Sequence, residues 1–168
     1  MILQDCFVPE ENRLGPEGAG VAIHSSCMVW ERSGILARQI GAMDRQLEDT
    51  IRYAKERQQF GQSIGKFQSV ANRIADMQLR LETSRLLLYK VAWLKKMDED
   101  ATLAAAQAKL HISESYLQNS MDALRVHGGY GYMREFDVER DVRDSFGGVI
   151  YSGTSDIQRL IIAKELEL

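Results

Sequence analysis

Both prolines of this chain, Pro9 and Pro16, stand before residue 17, so every later residue is free of the strongest helix breaker. Along that stretch, apolar and small side chains recur in steps of three and four, which is the spacing of one helix face. Short polar or glycine-containing connections separate the periodic segments. The pattern predicts an all-α fold in which long helices pack as an antiparallel, four-helix-type bundle.

Three long helices are predicted, from about Gly20 to Arg57, from Phe67 to Met97 and from Ala101 to Val126, with shorter ones near 136–146 and 154–166. Each long helix has one predicted packing seam. The seams are Leu36, Ile40, Met43, Leu47, Ile51 and Ala54; then Phe67, Val70, Ile74, Met77, Leu81, Ser84, Leu88 and Val91; then Leu103, Ala106, Leu110, Ser113, Leu117, Ser120 and Leu124. We assign these residues to the core and give them no chemistry.

The first residues differ from the rest. The stretch "MILQDCFVPEENRLGPEGAG" begins with apolar residues and then becomes rich in turn formers. It predicts a short strand and a loop that lead into the first helix. Because a domain rarely begins in this way, we expect that the start of the chain was cut from something longer.

Composition narrows the possible functions. The 168 residues suit one domain, and 21 basic and 24 acidic side chains are mixed along the chain to a net charge of −3. We therefore expect no nucleic-acid partner and no membrane partner, because basic patches and bilayer-length apolar runs are both missing from the sequence. With two cysteines and no CxxC motif, a reducing compartment is favoured: the cytoplasm or, in a eukaryote, the mitochondrial matrix.

Several common site types find no support in the sequence. His24, His111 and His127 are far apart and lie outside any metal-binding frame, so we predict no metal site. No GxSxG motif or Cys–His pairing suggests a covalent nucleophile. The glycines of "HGGYGY" follow a helix instead of a strand, which fails the structural context of a dinucleotide fingerprint and predicts a helix stop.

The segment "ERQQFGQSIGKFQ" (residues 56–68) carries polar groups suited to a nucleotide. Arg57 is a fork-shaped donor that fits a diphosphate, and Gln68 can form two hydrogen bonds with the edge of a heterocycle. Phe60 and Gly61 form a sharp turn between them. Each feature is weak alone, because an arginine at a helix end also complements the helix dipole.

A second segment, "IYSGTSDIQRLIIAKEL" (residues 150–166), combines a turn at Gly153 with a helix start. Thr154, Ser155 and Asp156 are residue types that cap helices. The free N–H groups of such a helix end favour an anionic or electron-rich ligand.

Four motifs together resemble the acyl-CoA dehydrogenase family: "VPEENRLG", "RQQFGQSIGKFQ", "HGGYGY" and "YSGTSDIQRLIIAKEL", in this order and at these separations. The resemblance covers nearly the whole chain. It implies that residues 1–17 are the end of the family's middle β-domain with a linker, and that residues 18–168 are its C-terminal helical bundle domain.

The resemblance implies that the protein binds FAD at the junction of these two domains. Arg57, Phe60 and Gln68 match positions that reach the FAD of a neighbouring subunit. Gly128 and Gly129 match a turn that lets the backbone approach the neighbour's cofactor, and Arg125 stands where the family usually has glutamine. The helix start that would lie against the cofactor consists of Thr154, Ser155 and Asp156.

The residue between Tyr151 and Gly153 is the catalytic glutamate in most of the family, and here it is Ser152. A serine cannot take an α-proton without a base of its own. A minority of the family, resembling isovaleryl- and long-chain acyl-CoA dehydrogenases, carries the base on the long helix just before an arginine. This chain has Glu31 followed by Arg32 at that place.

We therefore predict Glu31 as the catalytic base, made more basic by a desolvating patch of Cys27, Met28, Val29 and Trp30. The alternative for Glu31 is a solvated helix glutamate that pairs with a nearby lysine or arginine. Val29, Trp30 and Arg32 are expected to line the acyl site, and plain core packing stays open as the alternative for Trp30. In the family, the backbone N–H at position 152 helps to hold the thioester carbonyl oxygen, so the resemblance implies that Ser152 and Gly153 complete the substrate site.

The predicted function is an FAD-dependent dehydrogenase of acyl thioesters, carried by coenzyme A or by an acyl-carrier protein. Glu31 removes the α-proton and FAD takes the β-hydride. The family resemblance implies a homodimer or homotetramer and an electron-transferring flavoprotein as possible partner. These 168 residues alone are expected to be inactive. Two alternatives stay open, namely a flavin-binding homologue without catalysis and a helical oligomerisation module.

Overall fold

The computed structural model describes residues 2–168 and forms a bundle of helices. The elements are α1 (Gly20–Glu56), β1 (Gln58–Gln59), β2 (Gln62–Ser63), α2 (Gln68–Lys96), α3 (Thr102–His127), α4 (Gly129–Tyr132), α5 (Asp137–Gly148) and α6 (Ser155–Glu165). Short 3-10 turns occur at Glu10–Asn12 and Ile64–Lys66. The predicted all-α bundle is confirmed, and the ends of the long helices lie within two residues of their predicted positions.

The predicted strand at the start of the chain is wrong for the described residues, because residues 2–9 have no regular structure. Their apolar side chains, including Ile2 and Phe7, are exposed. A strand needs a neighbouring strand for its backbone hydrogen bonds, and this part of the chain finds none within residues 2–168.

A small hairpin joins α1 to α2 and was not predicted as strands. β1 and β2 pair antiparallel, with Gln59 opposite Gln62. The residues of the connecting turn, Phe60 and Gly61, both have positive φ, at 50° and 75°. This is the backbone of a two-residue primed turn, which confirms the predicted sharp turn.

Helix α3 lies at the centre and packs against α1, α2, α5 and α6. The α1 and α2 seams are confirmed as the buried faces of those helices, with Met43 and Met77 fully buried. The single seam predicted for α3 is too narrow. Residues such as Ala105, Ala108 and Ile112 are buried on its other sides, because a helix surrounded by four others needs small or apolar residues all round.

Polar contacts fix the outer helices on this core. The Arg45 guanidinium of α1 donates to the buried Asp141 carboxylate of α5 at 2.6 Å. Asp122 of α3 accepts from both Arg73 and Arg80 of α2 at 2.9 Å. No helix in the described part of the chain has the length and apolar character needed to cross a bilayer.

Candidate functional site

The turn between α5 and α6 has a constrained backbone. Ser152 and Gly153 have φ values of 53° and 90°, in the region that favours glycine. A Cβ atom at position 153 would lie 2.7 Å from the Gln158 side-chain nitrogen, so only glycine fits there. Ser152 has the same left-handed backbone conformation although it carries a side chain. The contacts around it must therefore hold it in this conformation.

Three buried polar side chains form hydrogen bonds with this turn and with the end of α5. The Gln158 amide donates to the Gly153 carbonyl at 2.9 Å, and the Gln39 amide donates to the Tyr151 hydroxyl at 2.7 Å. The Lys109 ammonium donates to the carbonyl of Gly148, the last residue of α5, at 2.7 Å. Gln158, Gln39 and Lys109 are 0%, 3% and 0% exposed, so buried donors hold the turn, whereas the side-chain oxygens of both glutamines have no partner within residues 2–168.

Lys109 is a buried cation without a carboxylate within salt-bridge distance among the described residues. Burial lowers its pKa, Glu114 raises it in part, and the positive charge of Arg32 lowers it. Burial also lowers the pKa of Arg32, which Glu31 partly opposes. The negative end of α5, at the Gly148 carbonyl, compensates the Lys109 charge in this place.

The candidate base and the serine of the turn are in direct contact. The Ser152 hydroxyl donates to the Glu31 carboxylate at 2.7 Å, across 121 positions of the sequence. The Arg32 Nε atom lies 3.5 Å from the Ser152 carbonyl oxygen. The structure therefore brings together Glu31, Arg32, Ser152 and Gly153, as expected for one substrate site.

The predicted desolvation of Glu31 is not found in this chain. Glu31 and Cys27 are exposed, whereas Met28 and Val29 are half-buried. The apolar side chains of this patch lie on several faces of α1 and do not close over the carboxylate. No lysine or arginine forms an ion pair with Glu31 within residues 2–168, so the alternative of a glutamate paired with a basic side chain is not found there either.

A cavity of about 670 Å³ lies beside the pair and is lined in part by Val29, Arg32 and Gly153. Trp30 lies elsewhere, with its ring 3.7 Å below the Lys95 ammonium at the end of α2. Trp30 therefore faces the α2–α3 connection and is not brought to the site by this chain. Its predicted role in acyl binding stays a prediction.

The start of α6 is built as a capped helix end. The Thr154 side chain accepts the Ile157 N–H at 3.3 Å. Ser155 is buried and its hydroxyl donates to Glu114 at 2.6 Å, so that hydroxyl faces the bundle interior. Asp156 is exposed and paired with Arg159 at 2.7 Å. Of the three predicted cofactor residues, Thr154 and Asp156 face outward, whereas the Ser155 hydroxyl and N–H donate to Glu114 and to the Val149 carbonyl.

A second cluster lies at the other end of α1. A cavity of about 470 Å³ is lined in part by Arg57, Gly128 and Gly129. The Arg57 guanidinium lies 5.5 Å from the centre of the Tyr130 ring, and Gly128 has a φ of 58°. Phe60, at the hairpin tip, is 90% exposed.

The remaining residues predicted for the cofactor, Gln68 and Arg125, do not line this cavity. Gln68 is the exposed first residue of α2. Arg125 lies in the last turn of α3, 3.3 Å from the Asp122 carboxylate that Arg73 and Arg80 also contact. One carboxylate facing three arginines leaves excess positive charge, which suits a phosphate.

The two clusters are far from each other. Glu31 and Glu56 lie about 38 Å apart along α1 at the α-helical rise. Groups at opposite ends of one straight helix cannot contact the same end of a ligand. The predicted cofactor residues of one copy therefore divide into two sets, one at each end of α1.

Sequence reasoning missed the buried support of the turn. Gln39, Lys109 and Gln158 are polar residues inside otherwise apolar helix faces, and this break in pattern was the available signal. Their partners could not be read from the sequence, because Lys109 and Gly148 are 39 positions apart. Among residues 2–168, no group of three or more His, Cys, Asp or Glu side chains could hold a metal ion.

The architecture is an all-α bundle with a carboxylate and a strained turn at one end and a glycine turn at the other. The chain belongs to the acyl-CoA dehydrogenase family: the family model for "Acyl-CoA dehydrogenase, C-terminal domain" matches residues 18–167.

Relatives with stated activities are similar to this chain. The L-prolyl-[peptidyl-carrier protein] dehydrogenase of Pseudomonas fluorescens is 49% identical over all of this chain and 44% of its own length. The structure of the prolyl acyl carrier protein oxidase AnaB matches with 51% identity and a TM-score of 0.97, over 99% of this chain and 44% of AnaB.

The structure of PigA with FAD and proline matches with 45% identity and a TM-score of 0.96, over 98% of this chain and 43% of PigA. The chain thus spans less than half the length of the relatives it matches.

Proposed function

We propose that this chain is the C-terminal helical part of an FAD-dependent dehydrogenase that oxidises a prolyl group held as a thioester on a carrier protein. The observation that carries this proposal is the contact between Glu31 and Ser152. It places a carboxylate at the turn where most of the family has its catalytic glutamate. The activities named for the Pseudomonas fluorescens relative and for AnaB support the prolyl thioester as substrate.

Glu31 is proposed to remove the α-proton of the thioester. Its carboxylate is exposed, accepts the Ser152 hydroxyl, and belongs to the residue before Arg32, which lines the 670 Å³ cavity. The N–H groups of Ser152 and Gly153 are proposed to hold the thioester oxygen, on which charge develops as the proton leaves. Both N–H groups belong to the turn whose backbone is held by buried donors, so they stay in place at no reorganisation cost.

The residues present fit FAD at both ends of α1. The second cluster offers Arg57, the Arg125 region and the glycine turn for the phosphates, and the exposed Phe60 for stacking. At the start of α6 the Asp156 N–H is proposed to face the cofactor, because the Ser155 and Ile157 N–H groups already donate to the Val149 carbonyl and the Thr154 side chain. When bound, FAD supplies the acceptor for the β-hydride.

The distance between the two clusters supports sharing of each cofactor between two copies, as a homodimer or homotetramer. One copy would provide the Glu31 end of α1, and its neighbour would provide the Arg57 end. The chain matches less than half the length of its relatives, which supports further domains in the whole protein. Those domains would cover the exposed Glu31 and exclude water. Residues 1–17 are proposed as the link to them.

The test uses the full-length protein loaded with FAD, under anaerobic conditions, with prolyl-carrier protein, prolyl-CoA and butyryl-CoA. We expect prolyl-carrier protein to bleach the flavin and to yield a product with two fewer hydrogens. Glu31→Gln should keep FAD but bleach at least about 100-fold more slowly, as expected for loss of a general base. Glu48→Gln, an exposed glutamate on the same helix, is the matched control and should behave like the wild type.

Other outcomes identify the alternatives. Bleaching by coenzyme A thioesters alone would move the substrate to the coenzyme A class. No bleaching by any thioester would support the flavin-binding homologue without catalysis. Reoxidation of the reduced flavin by an electron-transferring flavoprotein or by oxygen then identifies the electron acceptor.

One surface supports a second candidate function, the oligomerisation module. Leu79, Leu86, Tyr89 and Trp93 lie along one face of α2 and are each more than half exposed. Such a stripe suits a contact between copies of the chain. Light scattering should find a dimer or tetramer that Leu86→Lys with Trp93→Lys dissociates, while Leu166→Lys, outside the stripe, leaves it intact.

A further inference from the structure

Ser152 combines a hydroxyl aimed at the candidate base with an unfavourable backbone. Its Oγ atom donates to a Glu31 oxygen at 2.7 Å, and its φ is 53°. Glycine would adopt this backbone at no steric cost, and the next residue is already glycine. A side chain kept in such a conformation is a starting point for a functional hypothesis.

The turn is fixed independently of that hydroxyl. Gln158 donates to the Gly153 carbonyl at 2.9 Å, and Lys109 donates to the Gly148 carbonyl at 2.7 Å. The Ser155 N–H closes the turn on the Val149 carbonyl at 3.1 Å. Because buried groups define the backbone, the hydroxyl of Ser152 contributes little to the shape of the turn.

Glu31 has few other partners. It is exposed, and no ion pair fixes its carboxylate within residues 2–168. A glutamate side chain has several rotatable bonds, and most of its rotamers point away from any one reacting atom. The Ser152 hydroxyl is therefore the contact that selects one of these orientations.

We propose that Ser152 is a positioning residue that holds the Glu31 carboxylate in its reactive orientation through a hydrogen bond. This inference rests on the proposed function of Glu31 as base. The residue in the usual base position thus does not take the proton, and instead orients the carboxylate that does.

The proposal predicts opposite effects on stability and on rate. Ser152→Gly relieves the backbone strain and removes the hydroxyl, so the thermal midpoint should equal or exceed that of the wild type. The kcat for prolyl-carrier protein should fall about 10-fold or more, which is the value of one hydrogen bond to a charged group. KM and bound FAD should stay unchanged. Ser152→Ala should show the same fall in kcat.

A matched control separates strain from positioning. Asp98 also has a positive φ, at 57°, in the α2–α3 connection. Asp98→Gly relieves the same kind of strain away from Glu31, so it should keep the midpoint or raise it and leave kcat unchanged.

All variants are measured as FAD-loaded, full-length protein beside the wild type. An active wild type with kcat within twofold in Ser152→Gly and Ser152→Ala overturns the positioning role alone. A fall in midpoint or FAD content that parallels the fall in kcat shows a structural role and also overturns it. An inactive wild type overturns the proposed function of Glu31 itself.

Discussion

The two parts of α1 differ in packing although they form one continuous helix. In the packed segment, residues 33–56, a regular face that includes Leu36, Met43 and Leu47 is buried in the bundle. In the open segment, residues 20–32, no residue is buried, and Val21 and Trp30 are more than half exposed. The proposed base, Glu31, lies at the end of the open segment.

The difference separates what holds the fold from what carries the proposed chemistry. An isolated helix of this length is marginal in water, so the open segment depends on the packed segment for its helical form. Its exposed apolar side chains remain available to a substrate or to another domain. Packing and chemistry are thus assigned to different residues of one helix, and the following predictions test that division.

The largest expected effect is a cavity in the packed segment. Met43→Ala should lower the free energy of unfolding by about 2–5 kcal/mol, because the fully buried side chain leaves a void that the core closes only in part. Denaturant unfolding measures the change. Met28→Ala, half-buried in the open segment, is the matched control and should cost less than about 1 kcal/mol. Equal costs would contradict the division of α1.

The second effect concerns the ion pair that joins the packed segment to α5. Arg45→Met leaves the Asp141 carboxylate, 6% exposed, without its guanidinium partner. Loss of about 1–2 kcal/mol is expected, less than for a fully buried pair because Arg45 itself is 44% exposed.

Arg52→Met is the control for that pair. Its partner Asp49 is 34% exposed, and such a surface pair contributes at most about 0.5 kcal/mol. If the two arginine variants unfold at the same denaturant concentration, burial of Asp141 does not decide the stability.

Sequence periodicity predicted the packed segment well and the open segment poorly. The steps of three and four that include Leu36 and Met43 mark the buried face, since helix geometry alone determines which residues share it. The patch around Trp30 is equally apolar but has no partner within the described chain. Apolar character predicts that a side chain will be buried, but the surface against which it packs depends on the neighbouring elements.

The candidate site, too, was predicted as a set of residues but without their spatial contacts. The motif containing Ser152 and the Glu31-Arg32 pair identified the residues that meet, but their contact depends on how α1 and the α5–α6 turn approach in space. The inward hydroxyl of Ser155 and the support by Lys109 depend on the same packing. Long-range polar partners leave no periodic pattern in a sequence, so only the structure reveals them.

The third prediction compares the stability contributed by the α5–α6 turn, beside the open segment, with that of the packed core. Thr154→Ala removes the acceptor of the Ile157 N–H, whose bond of 3.3 Å is long. The cost should be about 0.5–1 kcal/mol, at the lower end for a helix cap. Thr154→Ser keeps the oxygen and should retain most of the stability in a thermal melt. A fall as large as that of Met43→Ala would show that the turn belongs energetically to the core.

The smallest expected effect is a response to mild acid. His111 of α3 is half-buried, 2.9 Å from the Thr83 hydroxyl of α2, and burial lowers its pKa below the ordinary 6.5. As the pH falls below 6.5, the unfolded chain therefore takes up this proton before the folded chain does. The stability contributed by the neutral ring is present above that pH and is lost as the pH falls through the folded-state pKa.

His111→Gln should remove this part of the pH dependence, measured as the free energy of unfolding between about pH 7 and pH 5. His24, exposed in the open segment, is replaced in the matched control variant His24→Gln. Both variants replace one imidazole by one amide, so the only difference between them is the surrounding packing. If the two slopes are equal, burial in the bundle does not control this titration, and packed and open regions respond alike to protons.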